Sequence, residues 1–274
     1  MSQRKIFVMI NGLPGKMASL VEAAVSKRTD FQVVKDSLTG PDTEEKYCKG
    51  TIRLHKPFFH HDVLNRLSSL IKDDLIAIDF TQPSGIMDNA RLYCDYKIPF
   101  VMGTTGGDRQ ALAKMVADSE IPAVIAPNMS APIVMLMDMF EYAANHYPGA
   151  ISGWEIRIIE SHQAEKKDTS GTAIAIGKIL ESIGVNYAPE HIRSVRDKIE
   201  QLLMGIPASA IDGHGWHKYS LISPDGNVQL GFEHNINGRN TYVDGTLMAL
   251  DFLSAKVEQG FKGKCFSMRD AIRE

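Results

Sequence analysis

The run Glu160 to Lys178, ESHQAEKKDTSGTAIAIGK, sets a histidine, two adjacent lysines and a Ser-Gly-Thr turn directly ahead of an apolar stretch with helical spacing. An imidazole can give or take a proton near neutrality, and an ammonium partly withdrawn from water can donate one and stabilise developing negative charge. His162 and Lys166 are the candidates for that work. Thr169 or Ser170 is placed to cap the helix that the apolar spacing predicts from about Ala173, and uncapped N–H groups at such a start attract an anion, most simply a carboxylate. The plain alternative is a hydrogen-bonded loop histidine with Lys166 and Lys167 as solvated charge. Arg239, in the turn EHNINGRN beside His234, could grip a carboxylate bidentately or be surface charge. The remaining histidines are less useful on this reading: His60-His61 falls in a polar linker, and His214 and His217 lie on a predicted strand where i, i+3 residues face opposite ways. No metal site is expected.

A second set of residues sits where a flat, phosphate-bearing molecule could lie. NGLPGKM, residues 11 to 17, follows the first apolar run and opens the first amphipathic segment. Gly12 and Gly15 permit a tight turn and close approach of backbone N–H groups to a pyrophosphate. Pro14 has no N–H to donate, and an ordinary βα turn is the alternative. Three further clusters of small polar residues end successive predicted strands: DFTQPSG at 79 to 85 with Phe80 and Thr81, GTTGG at 103 to 107, and APNMS at 126 to 130. Parallel sheets bind ligands along that edge, so three such clusters favour a dinucleotide over three independent turns. In KDSLTG, residues 35 to 40, an unopposed Asp36 would hold a ribose hydroxyl. Ser37 and Thr39, with Lys16 or Lys35, would instead accept a 2′-phosphate. Both readings stay open.

The elements that must position these residues follow from periodicity. Apolar runs at Ile6 to Ile10, Phe31 to Val34, Leu75 to Asp79, Phe100 to Met102 and Ala123 to Ile125 alternate with helical patterns such as Met17 to Val25, Gly85 to Tyr93 and Asp108 to Ser119. That alternation predicts βαβ units and a parallel sheet, an α/β fold. After Asn128 the rhythm changes. A long apolar helix, Ile133 to Asn145, precedes strand patterns at Gly153 to Glu160, Trp216 to Ile222 and Val228 to Glu233. The last two flank SPDGN, a hairpin signal. The expectation is a dinucleotide-binding domain over 1–130 and a smaller α+β domain with a mixed or antiparallel sheet over 131–240. The final apolar helix, Gly245 to Val257, belongs with 241–274 packing back on the first domain.

Bulk properties agree. A chain of 274 residues suits two domains at roughly 150 residues each. Its 44% hydrophobic and 23% charged content is that of a folded globular protein. A net charge of −3 lacks the basic excess of nucleic-acid binders. Cys48, Cys94 and Cys265 are scattered and odd in number, which argues against a disulfide framework and for a reducing cytoplasm. The N-terminus has a short basic start and an apolar run too brief for a signal peptide, and no segment reads as a membrane span.

Taken together these motifs resemble the dihydrodipicolinate reductase (4-hydroxy-tetrahydrodipicolinate reductase) family of lysine biosynthesis, almost end to end. The resemblance runs through the first glycine loop, DFT at 79, GTTG at 103, APNMS at 126 and ESHQAEKKDTSGTA at 160. It implies an N-terminal Rossmann domain and a C-terminal substrate domain that also builds a homotetramer. The implied reaction is hydride transfer from NADPH or NADH to a small cyclic dicarboxylate, with tetrahydrodipicolinate as product. His162 and Lys166 fall on the family's proton-donor positions, and Ser170, Gly171 and Thr172 on its substrate-carboxylate loop. Gly12, Leu13, Pro14, Gly15, Lys16 and Met17, then Gly103, Thr104 and Thr105, then Ala126, Pro127, Asn128 and Met129, fall on cofactor positions. Met129 replaces the usual aromatic residue. Gln163 stands where many bacterial members have a second histidine, so it can bind substrate but not exchange protons. The shorter loop, with no proline before Ser-Gly-Thr, is similar to the plant-type branch, for which the other expected compartment is a plastid, if a transit peptide has been removed. The rival readings are another two-domain NAD(P) oxidoreductase acting on a small amino-dicarboxylate, and a dinucleotide sensor without turnover.

Overall fold

The structure, a computed structural model, describes residues 5–44, 46–71 and 74–274; the basic start of the chain, at 1–4, lies outside them. Two units emerge: the chain up to Ala131 together with Tyr242–Glu274, and Pro132–Thr241.

In chain order the first unit contains β1 (Ile6–Asn11), α1 (Lys16–Val25), β2 (Phe31–Val33), β3 (Asp36–Leu38), β4 (Tyr47–Cys48), β5 (Ile52–His55), α2 (His60–Ile71), β6 (Leu75–Asp79), α3 (Ile86–Asp95), β7 (Phe100–Met102), α4 (Arg109–Ala117) and β8 (Pro122–Ile125). The second unit follows with α5 (Ala131–His146), β9 (Glu155–His162), α6 (Gly171–Glu181), β10 (Ile192–Val195), α7 (Lys198–Leu203), β11 (His214–Ile222) and β12 (Gln229–Asn237). The chain then returns to the first unit through α8 (Asn240–Glu258), β13 (Lys264–Phe266) and α9 (Met268–Arg273).

The main sheet is six-stranded, in the order β13-β8-β7-β6-β1-β2, and every pairing is parallel. Crossover helices cover such a sheet on both faces, which is why its strands read as unbroken apolar runs. All five residues of β6 are buried. Leu64 and Leu67 of α2, Ala90 and Tyr93 of α3, and Leu112 and Val116 of α4 close over Met9, Ala77, Phe100 and Met102. Strand β13 extends the sheet from the far end of the chain. Its three residues are too few to show a period.

Two expectations fail in this unit. An acid that holds a ribose should stand at the end of the second strand of the parallel sheet, which puts KDSLTG, residues 35 to 40, directly after that strand. Instead that strand stops at Val33, and Asp36–Leu38 pairs with β5 in a separate three-stranded sheet, β3-β5-β4. Asp36 is buried there, its carboxylate bonded to His55 Nε2 at 2.7 Å and to Arg66 at 3.0 Å. A buried carboxylate needs such partners, so Asp36 is not the unopposed acid that would hold a ribose. The His60-His61 pair opens α2 and is not in a linker; His60 is buried and its Nε2 meets the His55 carbonyl at 3.0 Å.

The second unit has a four-stranded sheet, β10-β9-β11-β12. Strands β9, β11 and β12 are antiparallel, as their alternation predicted, whereas β10 adds parallel to β9, a strand the sequence reading missed. One face carries Ile156, Ile158, Tyr219 and Leu221 against Ala173, Ile176 and Leu180 of α6, with Met137 and Phe140 of α5. The β11–β12 connection is the expected hairpin, turning at Gly226 with φ +73.

Gly245, inside α8, offers a test of how tightly the returning helix is seated. A Cβ there would lie 1.6 Å from the Met129 carbonyl oxygen. In an exposed helix Gly→Ala stabilises by roughly 0.5–1 kcal/mol. Here Gly245→Ala should destabilise instead, by about 1–3 kcal/mol as for other overpacked sites, read as a lowered urea midpoint.

Candidate functional site

The carboxyl edge of the parallel sheet is shaped by close backbone approaches. Gly12 has φ +96 and donates its N–H to the Leu38 carbonyl at 2.8 Å, and the Gly15 N–H returns to the Gly12 carbonyl at 2.8 Å. A Cβ on Gly12 would stand 2.2 Å from the Phe80 carbonyl oxygen, one on Gly15 2.7 Å from the Gly12 carbonyl oxygen, and one on Gly103 2.3 Å from the Phe80 ring. Helix α1 begins behind this turn with no capping side chain and no acid in its first turn. Its first N–H groups, from Lys16 and Met17 onward, are therefore open to an anion. That arrangement fits a dinucleotide pyrophosphate.

Asp79 ties the edge together. Its fully buried carboxylate accepts from Tyr93 Oη at 2.7 Å, Asn89 at 3.0 Å, the Thr81 N–H and hydroxyl at 3.0 and 2.7 Å, and the Thr104 hydroxyl at 3.0 Å. Asn11 continues the network to Tyr93 Oη at 2.8 Å and to the Leu38 N–H at 2.8 Å. Phe80, Thr81, Gly103 and Thr104 are thus held as one surface. Thr105 and Pro127 are exposed on their loops, Asn128 is half-buried, and Ala126 and Met129 are buried. Leu13 is buried, and its N–H reaches Ser37 Oγ at 3.4 Å. The Thr39 hydroxyl donates to the His55 carbonyl at 3.0 Å. Thr39 thus already uses its proton within the fold, whereas Ser37 accepts from Leu13 and keeps its own hydroxyl proton. Thr39 still borders a cavity of about 430 Å³ with Gly40, His60, Thr81, Gln82 and Arg91.

In the second unit, strand register assembles a polar row at the end of an apolar face. Ile156, Ile158, Glu160 and His162 alternate onto one side of β9. Pairing sets Ser194 of β10 and His217 of β11 beside Glu160, His234 of β12 beside His217, and Gly215 beside His162. The Glu160 side chain is completely buried. Its carboxylate is met by His162 Nδ1 at 2.6 Å, Ser194 Oγ at 2.5 Å and the Arg196 guanidinium at 2.6 and 3.0 Å. Burial alone would raise its pKa; hydrogen bonds from His162, Arg196 and Ser194 outweigh that and hold it well below the usual carboxylate range.

His162 keeps its Nε2 free of hydrogen bonds among the described residues. Gly215 leaves room for it: a Cβ on that glycine would come within 3.3 Å of Nε2. The backbone carbonyl of His162 is fixed by Gln201 of α7 at 2.8 Å. Lys166, one-fifth exposed, pairs with Asp168 at 2.7 Å, and Asp168 is itself mostly in solvent. Of the two expected caps, Ser170 is the one used: its Oγ accepts from the Ala173 N–H at 3.4 Å and also meets His217 Nε2 at 2.7 Å. Gly171 is exposed, Thr172 and Gln163 are half-buried, and the first turn of α6 holds no acid. Arg239 follows β12, with its guanidinium over Gly213 at the same end of the sheet. Lys167 is exposed.

The reading of the other histidines is corrected here. His214 and His217 do face opposite ways, His214 bonding Ser161 Oγ at 2.8 Å. His217 and His234, however, belong to the site, stacked at 4.4 Å with His162 edge-on to His217 at 5.2 Å. Burial, then the charges of His234 and His162, pushes His217 down to about 2, and burial, then His162, pushes His234 down to about 4. Sequence reasoning also missed Glu160, Ser194, Arg196 and Gln201 as contributors. One signal was available: an acid in phase with Ile156 and Ile158 must have buried partners. No group of three or more His, Cys, Asp or Glu among the described residues is arranged to hold a metal.

A parallel sheet with an open glycine turn in one unit, and an imidazole, an ammonium and a capped helix start in the other, are the features expected of a two-domain dinucleotide-dependent oxidoreductase. Comparison with known proteins narrows the class. The family descriptions "Dihydrodipicolinate reductase, N-terminus" and "Dihydrodipicolinate reductase, C-terminus" match residues 6–129 and 132–272. The chain is 40% identical over 274 residues to probable 4-hydroxy-tetrahydrodipicolinate reductase 1, chloroplastic, of Oryza sativa subsp. japonica, covering 97% of this chain and 78% of the relative. It is 38% identical over 272 residues to 4-hydroxy-tetrahydrodipicolinate reductase 1, chloroplastic, of Arabidopsis thaliana, covering 98% and 78%. Among solved structures, dipicolinate-bound dihydrodipicolinate reductase from Paenisporosarcina sp. TG-14 shares the fold, with a TM-score of 0.63 at 17% identity over 96% of this chain and 98% of that one. The protein belongs to the dihydrodipicolinate reductase family.

The buried histidines make the second unit acid-labile. His217 and His234 bind protons less readily folded than unfolded, so the stability they contribute is complete above their ordinary 6.5 and is lost as pH falls through about 4. Glu160, also depressed, adds loss in the same direction below the usual carboxylate range. Urea midpoints should therefore fall steadily from pH 7 to pH 4, and His234→Gln should flatten that slope.

Proposed function

We propose that the protein reduces 4-hydroxy-tetrahydrodipicolinate to tetrahydrodipicolinate with NADPH or NADH, in lysine and diaminopimelate biosynthesis. The observation that carries this reading is the free Nε2 of His162 in the same loop-and-strand unit as Lys166 and the Ser170-capped start of α6. Family membership and the names of the plant relatives support it. The bound ligand named for the Paenisporosarcina structure, dipicolinate, is a planar ring with two carboxylates.

The dinucleotide would be held by Gly12 to Met17 and the strand-end residues Phe80, Thr81, Gly103 to Thr105 and Ala126 to Met129, and it supplies a hydride. The protein's own residues do the rest. One substrate carboxylate suits the α6 start, where the N–H groups of Gly171 and Thr172 point outward and Ser170 has already satisfied Ala173. Lys166 is held by a single exposed acid, so a substrate carboxylate can exchange with Asp168 at little desolvation cost. Gln163 can orient the ring by hydrogen bonding, and Arg239 can take the second carboxylate bidentately. The 4-hydroxyl leaves as water together with a proton from the neighbouring ring carbon, which forms the ring double bond. Reduction then adds two electrons with one hydrogen, and the ring takes one proton, which His162 delivers from Nε2. Placing these groups before the reaction removes most of the entropic cost of bringing them together.

The second unit is also proposed to assemble the protein into a homotetramer. Strand β12 is a nine-residue edge strand, largely exposed, with Leu230 and neighbouring backbone open to a second copy. A plastid or the cytoplasm would suit a chain whose cysteines form no disulfide among the described residues, and no helix among those residues is long and apolar enough to cross a membrane.

Positioned proton transfer is worth about 10²–10⁴ in rate. His162→Ala and Lys166→Ala should each lower kcat with freshly generated substrate by about that factor, while NADPH affinity, read by fluorescence titration, stays at the wild-type value. Normal turnover by both variants would refute the assignment.

A further inference from the structure

An imidazole that delivers a proton has two nitrogens, and only one can face the substrate. Which nitrogen carries the proton in the neutral ring is set by what the other one meets. His162 Nδ1 lies 2.6 Å from Glu160 Oε2. Every acceptor position on Glu160 is taken: Oε2 by His162 Nδ1 and one Arg196 nitrogen at 3.0 Å, Oε1 by Ser194 at 2.5 Å and the other Arg196 nitrogen at 2.6 Å. The carboxylate is solvent-free and cannot turn without breaking a bond.

Arg196 has a second set of contacts. Its Nε donates to the Lys166 carbonyl at 2.8 Å, and one terminal nitrogen reaches the Asp168 carbonyl at 3.3 Å. A single guanidinium therefore fixes both the acid behind His162 and the backbone of the loop that carries Lys166 towards Ser170. Lysine could supply the charge but not this fork of donors.

We propose that Glu160 and Arg196 are positioning residues for the reduction: Glu160 holds His162 with its proton on Nδ1 once Nε2 has given one up, and Arg196 locks Glu160 and the Lys166 loop in common register. Neither touches the substrate. The proposal rests on His162 as the proton donor. It adds that the donor works only while Nδ1 faces a carboxylate, and that the spacing of His162 and Lys166 depends on a residue some thirty positions downstream in the chain, at the end of β10.

In Glu160→Gln, the tight Arg196 and Ser194 contacts should claim the amide oxygen at the Oε1 position. The amide NH₂ then faces His162 Nδ1, which can be deprotonated but not protonated beside it. The neutral ring is forced to carry its proton on Nε2, the wrong tautomer after donation. The test uses full-length protein with NADPH and freshly generated substrate, together with ¹⁵N shifts of His162 in histidine-labelled enzyme. Placing an amide where a carboxylate orients a proton-transferring histidine costs up to about 10⁴-fold in kcat through the wrong tautomer. Glu160→Gln should accordingly lower kcat by about 10²–10⁴-fold with substrate KM nearly unchanged and the His162 tautomer inverted. Arg196→Lys should raise substrate KM about tenfold or more, because the loop carbonyls lose their donors, with NADPH affinity unaltered in both variants. Wild-type kcat and an unchanged tautomer in Glu160→Gln, or wild-type KM in Arg196→Lys, would overturn the proposal. Should Glu160→Gln not fold, Arg196→Lys decides alone. Normal turnover by His162→Ala would instead remove the proton-donor reading itself, an outcome separable from failure of the positioning pair.

Discussion

A carboxylate that is taken out of water must find a complete set of donors, because its desolvation costs several kcal/mol that no apolar contact returns. Each unit of this protein contains one such group at its working edge, Asp79 at the end of β6 and Glu160 near the end of β9. Asp79 gathers donors from the chain beyond β6, from α3 and from the loop after β7. Glu160 gathers them from its own strand and from the β10 end. The segments that supply the donors cannot move apart without stranding the acid. Loops that would otherwise be the most mobile parts of the fold are thereby held at a defined geometry.

The same requirement explains why the reactive groups sit where they do. An α/β sheet leaves its carboxyl edge free of crossover helices, and the glycines there let backbone approach backbone, as at Gly12 against Phe80, or an aromatic ring, as at Gly103 against the Phe80 side chain. In the second unit the apolar face that packs against α5 and α6 runs out at Glu160, and polar side chains take over row by row across four strands. His217 and His234 stay neutral in that row because burial disfavours their charged forms. They fill space beside His162 and add no charge to it. The site is thus built from the last rungs of a sheet, with a helix start laid over them.

Much of this was legible in the chain. Strand runs such as Leu75 to Asp79 and the helix ahead of β7 stood out because buried parallel strands and amphipathic helices impose strong periods. The Ser-Gly-Thr helix start, His162 and Lys166 were legible because they fall within eleven residues of one another in sequence. Strands β10 and β13 were not, being four and three residues long. The small β3-β5-β4 sheet was missed because a strand end such as KDSLTG looks the same whether it continues a parallel sheet or leaves it.

The sequence by itself determined the alternation of elements, the glycine turn after the first strand and the identities of the groups able to move a proton or hold a carboxylate, since these depend on local propensity and on residue type. Tertiary structure alone decided what surrounds them. That Asp36 is spent on His55 and Arg66, that Ser170 meets His217 from forty-seven residues away, and that Arg196 stands behind both Glu160 and the Lys166 loop all follow from strand register and burial. Those are long-range properties: a one-residue slip in the pairing of β9 would turn Glu160 and His162 to the opposite face, and no short stretch of the chain records which slip was avoided.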